Sequence, residues 1–188
     1  MNTNQLRYFV TAAECRSFTK AADQFYITQT AITQQIRKEL LKIAKADESR
    51  YTAVLMQGSG TFGVESVLTS SVGPQDKLLI AANGAYGLRM ADIAIAAGIP
   101  YTLYEEKYDR VPDAEEIGKR LKEEPGITHV AIVHCETTSG ILNDIYAAAE
   151  VVKKAGKTLI VDAMSSFGGI EIPVEETGID FLISSANK

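Results

Sequence analysis

Three short stretches hold residues that could do covalent chemistry together. The first is Asp180-Phe-Leu-Ile-Ser-Ser-Ala-Asn-Lys188, an apolar strand that delivers a single lysine to its end. An amine so placed can condense with an aldehyde and later move a proton at a neighbouring carbon. The second is Thr158-Leu-Ile-Val-Asp162, an apolar run that ends on a carboxylate. Such a carboxylate can keep a ring nitrogen protonated and turn the ring into an electron sink. The third is Gly58-Ser-Gly-Thr61, ahead of a helical stretch over 62–72. Backbone amides at a helix start, with the Ser59 and Thr61 hydroxyls beside them, suit a phosphate dianion.

Each feature alone has a plainer reading. Gly-Ser-Gly is a tight turn, Asp162 a helix cap or ion-pair partner, and Lys188 a surface lysine. What weighs against the plain readings is order and placement: a phosphate turn, a carboxylate and a lysine fall at the mouth of one sheet. Together they are the parts of a pyridoxal phosphate site.

The elements that must position them can be read from the pattern. Apolar runs at 77–81, 101–104, 129–133, 158–161 and 181–184 alternate with helical stretches at 88–97, 113–124 and 143–155. Gly73-Pro74, Gly98, Pro125-Gly126 and Gly156 punctuate the boundaries. Strands alternating with helices predict an α/β fold, a three-layer arrangement with a mainly parallel sheet and helices on both faces. Ligands in such folds sit at the carboxyl ends of the strands, where Asp162 and Lys188 fall.

Composition narrows the class. With 188 residues, 46% of them hydrophobic, the chain suits one globular domain with a small appendage. No stretch is long enough to span a membrane, and the N-terminus lacks the layout of a signal peptide. Cys15 and Cys135 lie far apart without metal-ligand spacing and read as reduced thiols, so a cytoplasmic location is expected. With His129 and His134 as the only histidines and no CxxC or HExxH, no metal site is expected.

The first forty residues read differently from the rest. They hold five Lys/Arg and three Asp/Glu, a net of +2, whereas the remainder carries a net of −7. Leu6, Phe9, Val10 and Ala13 recur at helical spacing and predict an amphipathic helix. Ser17 is placed to cap a second helix and Thr28 a third. On the third, Ala31, Ile32 and Ile36 are expected to face inward. Gln29, Thr30, Thr33, Gln34 and Arg37 are then candidates for base and phosphate contacts, as in a helix-turn-helix. The plainer reading is three packed helices with a solvated polar face.

Two resemblances attach to these residues. Asn4-Gln-Leu-Arg-Tyr-Phe-Val10, Ser17-Phe-Thr-Lys-Ala-Ala-Asp-Gln24 and Ile27-Thr-Gln-Thr-Ala-Ile-Thr-Gln-Gln-Ile36 resemble the DNA-binding segment of LysR-type transcriptional regulators. Thr30 stands where that family has proline, and its wing and long dimerisation helix do not follow. The body resembles fold-type I pyridoxal phosphate aminotransferases, and within them the 2-aminoethylphosphonate:pyruvate transaminases. It does so through residues 55–66, Asn83-Gly-Ala-Tyr-Gly-Leu-Arg89, His134-Cys-Glu-Thr-Thr-Ser-Gly-Ile-Leu-Asn143, Val161-Asp-Ala-Met-Ser-Ser-Phe-Gly-Gly169 and Ser184-Ser-Ala-Asn-Lys188. This resemblance implies that Ser59, Gly60 and Thr61 hold the cofactor phosphate and that Tyr86 stacks on its ring. It also implies that Thr138 sits near the cofactor hydroxyl, Asp162 pairs with the ring nitrogen and Lys188 forms the imine. Tyr86 as a core tyrosine and Thr138 as a turn former remain the alternatives. Asp144 stands where the family has proline.

The resulting expectation is a fusion of a regulator-like head, 1–40, with part of an aminotransferase large domain, 41–188. Its partners would be a small amino-group donor and pyruvate, DNA only weakly, and a second copy through the open sheet edges. The chain stops at Lys188, before the family's C-terminal small domain with its anion-gripping arginine, which no residue here convincingly replaces, Arg89 being only a guess. Weak cofactor binding and impaired turnover are therefore expected. A DNA-binding regulator with an enzyme-derived sensing domain, or an inactive chimera, are the competing readings.

Overall fold

The computed structural model describes residues 3–186. The chain divides into two compact units, residues 1–57 with 171–175, and residues 58–170 with 176–188. The first is built from α1 (Thr3–Cys15), α2 (Phe18–Phe25) and α3 (Gln29–Ile43). The expected caps are present: the Ser17 Oγ accepts the Lys20 N–H at 3.3 Å and the Thr28 Oγ1 accepts the Ala31 N–H at 3.1 Å. Each satisfies an amide that the first helical turn leaves without an intrahelical partner. The turn between α2 and α3 passes through Tyr26, left-handed at φ 55° and 97% exposed.

The buried face of α1 differs from the expected one. Leu6, Phe9 and Val10 are exposed, and Ala12 is buried with Ala21, Ala22, Ile32 and Ile36. Tyr8 meets the Phe25 ring edge-on, with centroids 4.7 Å apart and planes at 74°. The edge-to-face aromatic pair turns the helix so that the stripe through Tyr8 and Ala12 faces inward. On α3, Ile32 and Ile36 are buried as expected, whereas Ala31 is exposed. The segment 171–175 is stitched to this unit by the Val174 N–H on the Ala44 carbonyl at 2.9 Å and by ion pairs Lys45–Glu171 and Arg50–Glu175.

The second unit contains α4 (Gly60–Ser71), β1 (Leu78–Ala82), α5 (Ala85–Ala97), β2 (Tyr101–Glu105), α6 (Ala114–Glu123) and β3 (His129–Val133). There follow β4 (Cys135–Glu136), β5 (Ile141–Leu142), α7 (Ile145–Lys154), β6 (Thr158–Asp162), α8 (Val174–Thr177), which begins within the first unit's segment, and β7 (Phe181–Ile183). Five strands form one parallel sheet in the order β2-β1-β3-β6-β7. The α/β class and all five main strands agree with the sequence reading. The β4–β5 hairpin and α8 do not figure in it, being two- to four-residue elements with too few positions to show a period.

Strand alternation explains the layering. Leu78, Ile80, Ala82, Ala131, Val133 and Ile160 pack with Val64 and Leu68 of α4 and with Met90, Ala91 and Ala94 of α5. The intervening residues Leu79, Ala81, Val130, Ile132, Leu159 and Val161 point to the other face. There α7 packs on β6 and α6 packs on α7. Asp144 caps α7, its Oδ1 accepting the Tyr146 and Ala147 amides at 3.1 and 2.9 Å, which offsets the absence of a rigid proline at that position.

Candidate active site

Chain order fixes where a site can form in the second unit. From β1 the chain crosses to β2 on one side, and β3 lies on the other, so the strand order reverses between β1 and β3. Such a switch point opens a crevice at the carboxyl ends of the strands. The register places Asp162, the last residue of β6, beside Val133 of β3 and Ile183 of β7.

Asp162 is 3% exposed, and its Oδ1 accepts the Met164 N–H at 3.0 Å. Its carbonyl accepts the His134 N–H at 2.8 Å, which joins the ends of β6 and β3. His134 is itself buried, with Nδ1 2.9 Å from the Ser166 Oγ, and burial holds its imidazole below the ordinary histidine range. Beneath the crevice Asn83 and Asn143 exchange amide hydrogen bonds of 2.8 and 3.0 Å. Each also donates to a carbonyl, Asn83 to Arg110 and Asn143 to Val133, both at 2.8 Å.

One pocket is lined by Thr61, Tyr86, Arg89, Met90, Asp162 and Met164. Three of the sequence candidates, Thr61, Tyr86 and Asp162, are thus brought together from α4, α5 and β6. Ser59 caps α4, its Oγ accepting the Phe62 N–H at 3.2 Å. Gly60 follows, and a Cβ there would overlap the Met164 sulfur, so a larger residue would require the Met164 side chain to move. Tyr86 is half-buried at the start of α5 and packs against the core between the sheet and its helices. Arg89, one helical turn on, lies 5.3 Å from the Tyr86 ring centroid and donates from Nη1 to the Thr61 Oγ1 at 3.4 Å. Thr138 Oγ1 accepts the Ala85 N–H at 3.3 Å, which puts this threonine against the start of α5. Lys188 lies outside the described residues.

The candidates on α3 belong to the other unit. Gln29, Thr30, Gln34 and Arg37 are exposed, while Thr33 is half-buried and its hydroxyl donates to the Gln29 and Thr30 carbonyls at 3.1 and 3.0 Å.

Sequence reasoning passed over Glu136, His134, Met164 and the asparagine pair. Their signal was available only in part. His134 links β3 to the hairpin and Glu136 ends β4, yet a buried glutamate cannot be told from a solvated one without knowing which donors converge on it.

Known proteins are similar to this chain in sequence and in fold. A 2-aminoethylphosphonate–pyruvate transaminase of Lysinibacillus sphaericus is 55% identical over 157 residues, 84% of this chain and 43% of the relative. One from Bacteroides fragilis is 53% identical over the same length. The chain therefore spans about two-fifths of the length of the curated relatives it matches. Among solved structures, pyridoxamine–pyruvate aminotransferase from Mesorhizobium loti superposes with a TM-score of 0.75 at 29% identity, covering 82% of this chain and 38% of that one. Ureidoglycine–glyoxylate aminotransferase from Bacillus subtilis gives 0.73 at 30% identity, covering 79% and 38%. Class V aminotransferases depend on pyridoxal phosphate. The profile of the aminotransferase class-V family matches residues 8–188, a range that takes in the crevice, the glycine turn and most of the helices ahead of them, and the chain belongs to that family.

Proposed function

We propose that this chain forms the cofactor-binding side of a pyridoxal phosphate transaminase that takes its amino group from 2-aminoethylphosphonate and passes it to pyruvate. The observation that carries the reading is the convergence of Thr61, Tyr86 and Asp162 on one pocket at the switch point. Family membership and the names of the relatives supply the substrates.

The residues present fit the group. Ser59, Gly60 and Thr61 would hold the phosphate at the start of α4, where the first-turn amides are available to an anion. Asp162 would meet the ring nitrogen from a 3%-exposed position, and Tyr86 would lie against the ring. The enclosed space is about 10 Å³, close to a single water. When bound, the group supplies an aldehyde for Lys188 and an electron sink for the donor's carbon.

Asp162 keeps its carboxylate aimed by accepting the Met164 N–H, and His134 holds its backbone. Arg89 brings positive charge to Thr61. Arg89 is the one cation among the described residues lining the pocket. The cofactor phosphate and the donor phosphonate would both draw on it, so turnover by this chain alone is expected to be slow.

The test uses the full chain with added pyridoxal phosphate. A visible absorbance band should form, borohydride should fix the group to the peptide that contains Lys188, and Lys188→Ala should abolish both. Fixation to scattered surface lysines, with Lys188→Ala unchanged, would sink the reading.

A second reading concerns α3. Exposure of Gln29, Thr30, Gln34 and Arg37 along one helix favours a DNA contact surface resembling that of LysR-type regulators. With few basic residues available, such binding would be weak and electrostatic. Gel-shift affinity should then fall steeply with salt and change little with DNA sequence. Salt-insensitive, sequence-selective binding would contradict it.

A further inference from the structure

The carboxylate of Glu136 is fully enclosed, with 0% exposure, and among the described residues no metal-ligand cluster or ion pair includes it. Four donors converge on it. The N–H groups of Tyr86 and Gly87 reach its Oε2 at 3.2 and 3.3 Å. The Thr138 N–H and hydroxyl reach its Oε1 at 3.1 and 2.7 Å. Gly84 is shaped around it as well: a Cβ there would overlap the Glu136 side chain and lie 2.7 Å from the Thr138 Oγ1.

A buried carboxylate is costly unless hydrogen bonds replace its water. Bonds to an ionised acceptor are about twice as strong as neutral ones, and the first turn of α5 adds the positive end of a helix. Two of the donors are backbone amides of α5, which cannot swing away as a side chain can. The carboxylate therefore clamps the peptides from which the Tyr86 ring departs. The same carboxylate accepts the hydrogen bond of the Thr138 hydroxyl, while the Ala85 N–H donates to one of that oxygen's two lone pairs. One lone pair is left, in one orientation.

We infer that Glu136 is the positioning residue of the cofactor face, fixing Tyr86 and Thr138 relative to each other. By holding a negative charge at the start of α5, it also leaves the start of α4 as the anion site of this row of strand ends. The inference rests on the cofactor-site reading above, but the clamp itself does not need the cofactor.

The experiment has two arms on the full chain. In Glu136→Gln the volume is kept, but the amide turns an NH2 toward either the α5 amides or Thr138, so one set of donors loses its acceptor. Without cofactor, exchange of the Tyr86 and Gly87 amides should speed up by about tenfold or more, on the order of one lost charged hydrogen bond. Exchange at Leu79, Val130 and Leu159 in the sheet should not change. With pyridoxal phosphate followed by absorbance, the dissociation constant should rise by about tenfold in Glu136→Gln and further in Glu136→Ala. Unchanged exchange at Tyr86 and Gly87 overturns the clamp, and so does a uniform rise that includes the sheet, which marks a general loss of stability. If the wild-type chain takes up no pyridoxal phosphate, the site reading fails, and the exchange arm still decides the clamp.

Discussion

Replacing Gly87 by alanine sets two known effects against each other. Alanine is the better helix former by about 1 kcal/mol in a helix interior, so propensity alone forecasts a gain. Against it stands the packing of α5 on β1. A Cβ at Gly87 would lie 2.7 Å from the Ala82 Cβ and 2.8 Å from its Cα. Carbon atoms rest at about 3.5–4.0 Å, so helix and strand must part by about 0.8 Å. The strand cannot yield, because β1 is hydrogen-bonded on both sides, to β2 and β3. Overpacking costs about 1–3 kcal/mol, and a clash with backbone that cannot yield belongs at the upper end, which leaves a net loss of about 1–2 kcal/mol. The displacement also falls on the Gly87 N–H, already 3.3 Å from Glu136, so cofactor binding should weaken in parallel. Urea unfolding followed by circular dichroism measures the stability, and cofactor absorbance the binding. Gly118→Ala on α6 is the control. A Cβ there meets Val151 at an ordinary 3.6 Å, and the same substitution should stabilise by about 0.5–1 kcal/mol. If Gly87→Ala is as stabilising as Gly118→Ala, the close approach of α5 to β1 is not what the glycine serves.

Acid should weaken the second unit well before its carboxylates titrate. Burial lowers the pKa of His134, and of His129 despite the nearby charges of Asp76 and Asp180. The unfolded chain therefore binds protons that the fold refuses. Stability is fully present above about pH 7 and falls as pH drops through the unfolded value of about 6.5, by at most about 1.4 kcal/mol per pH unit for each histidine. Urea midpoints at pH 7.5 and 5.5 should differ less in His134→Gln than in wild type, and equal differences would refute the assignment. In the first unit, Tyr26→Gly should stabilise by about 0.5–1 kcal/mol, since the left-handed backbone strains tyrosine and its ring is 97% exposed. A lower urea midpoint would show that the ring contributes more than its exposure allows.

Legibility in the sequence followed the range of the forces involved. Strand interiors such as 130–133 and 159–161 are apolar throughout because both faces are covered, and that property is visible residue by residue. Asp162 could be singled out because a strand end is a local feature. The inward face of α1 could not. Leu6, Phe9, Val10 and Ala13 share one helical stripe, Tyr8, Ala12 and Cys15 another, and the contact between Tyr8 and Phe25 on a different helix decides between them. Glu136 stayed hidden for the same reason. Its donors come from residues 86, 87 and 138, and only the crossover between β1 and β3 brings them to it.

The asparagine pair under the crevice has a consequence for how this protein ages. Asn83 precedes Gly84, and Asn-Gly is the dipeptide in which a following amide most readily attacks the side chain and releases ammonia. Here the Asn83 side chain is held by Asn143 and by the Arg110 carbonyl, with 1% exposure. The native fold therefore protects the bond, and deamidation becomes a clock that runs only while this region is open. Should it occur, a carboxylate would replace the amide that donates to the Asn143 oxygen and the Arg110 carbonyl, and acceptor would face acceptor at both. A molecule that has once opened and been modified could not close in the same way again, so chemical damage at this position would record the cumulative time spent unfolded.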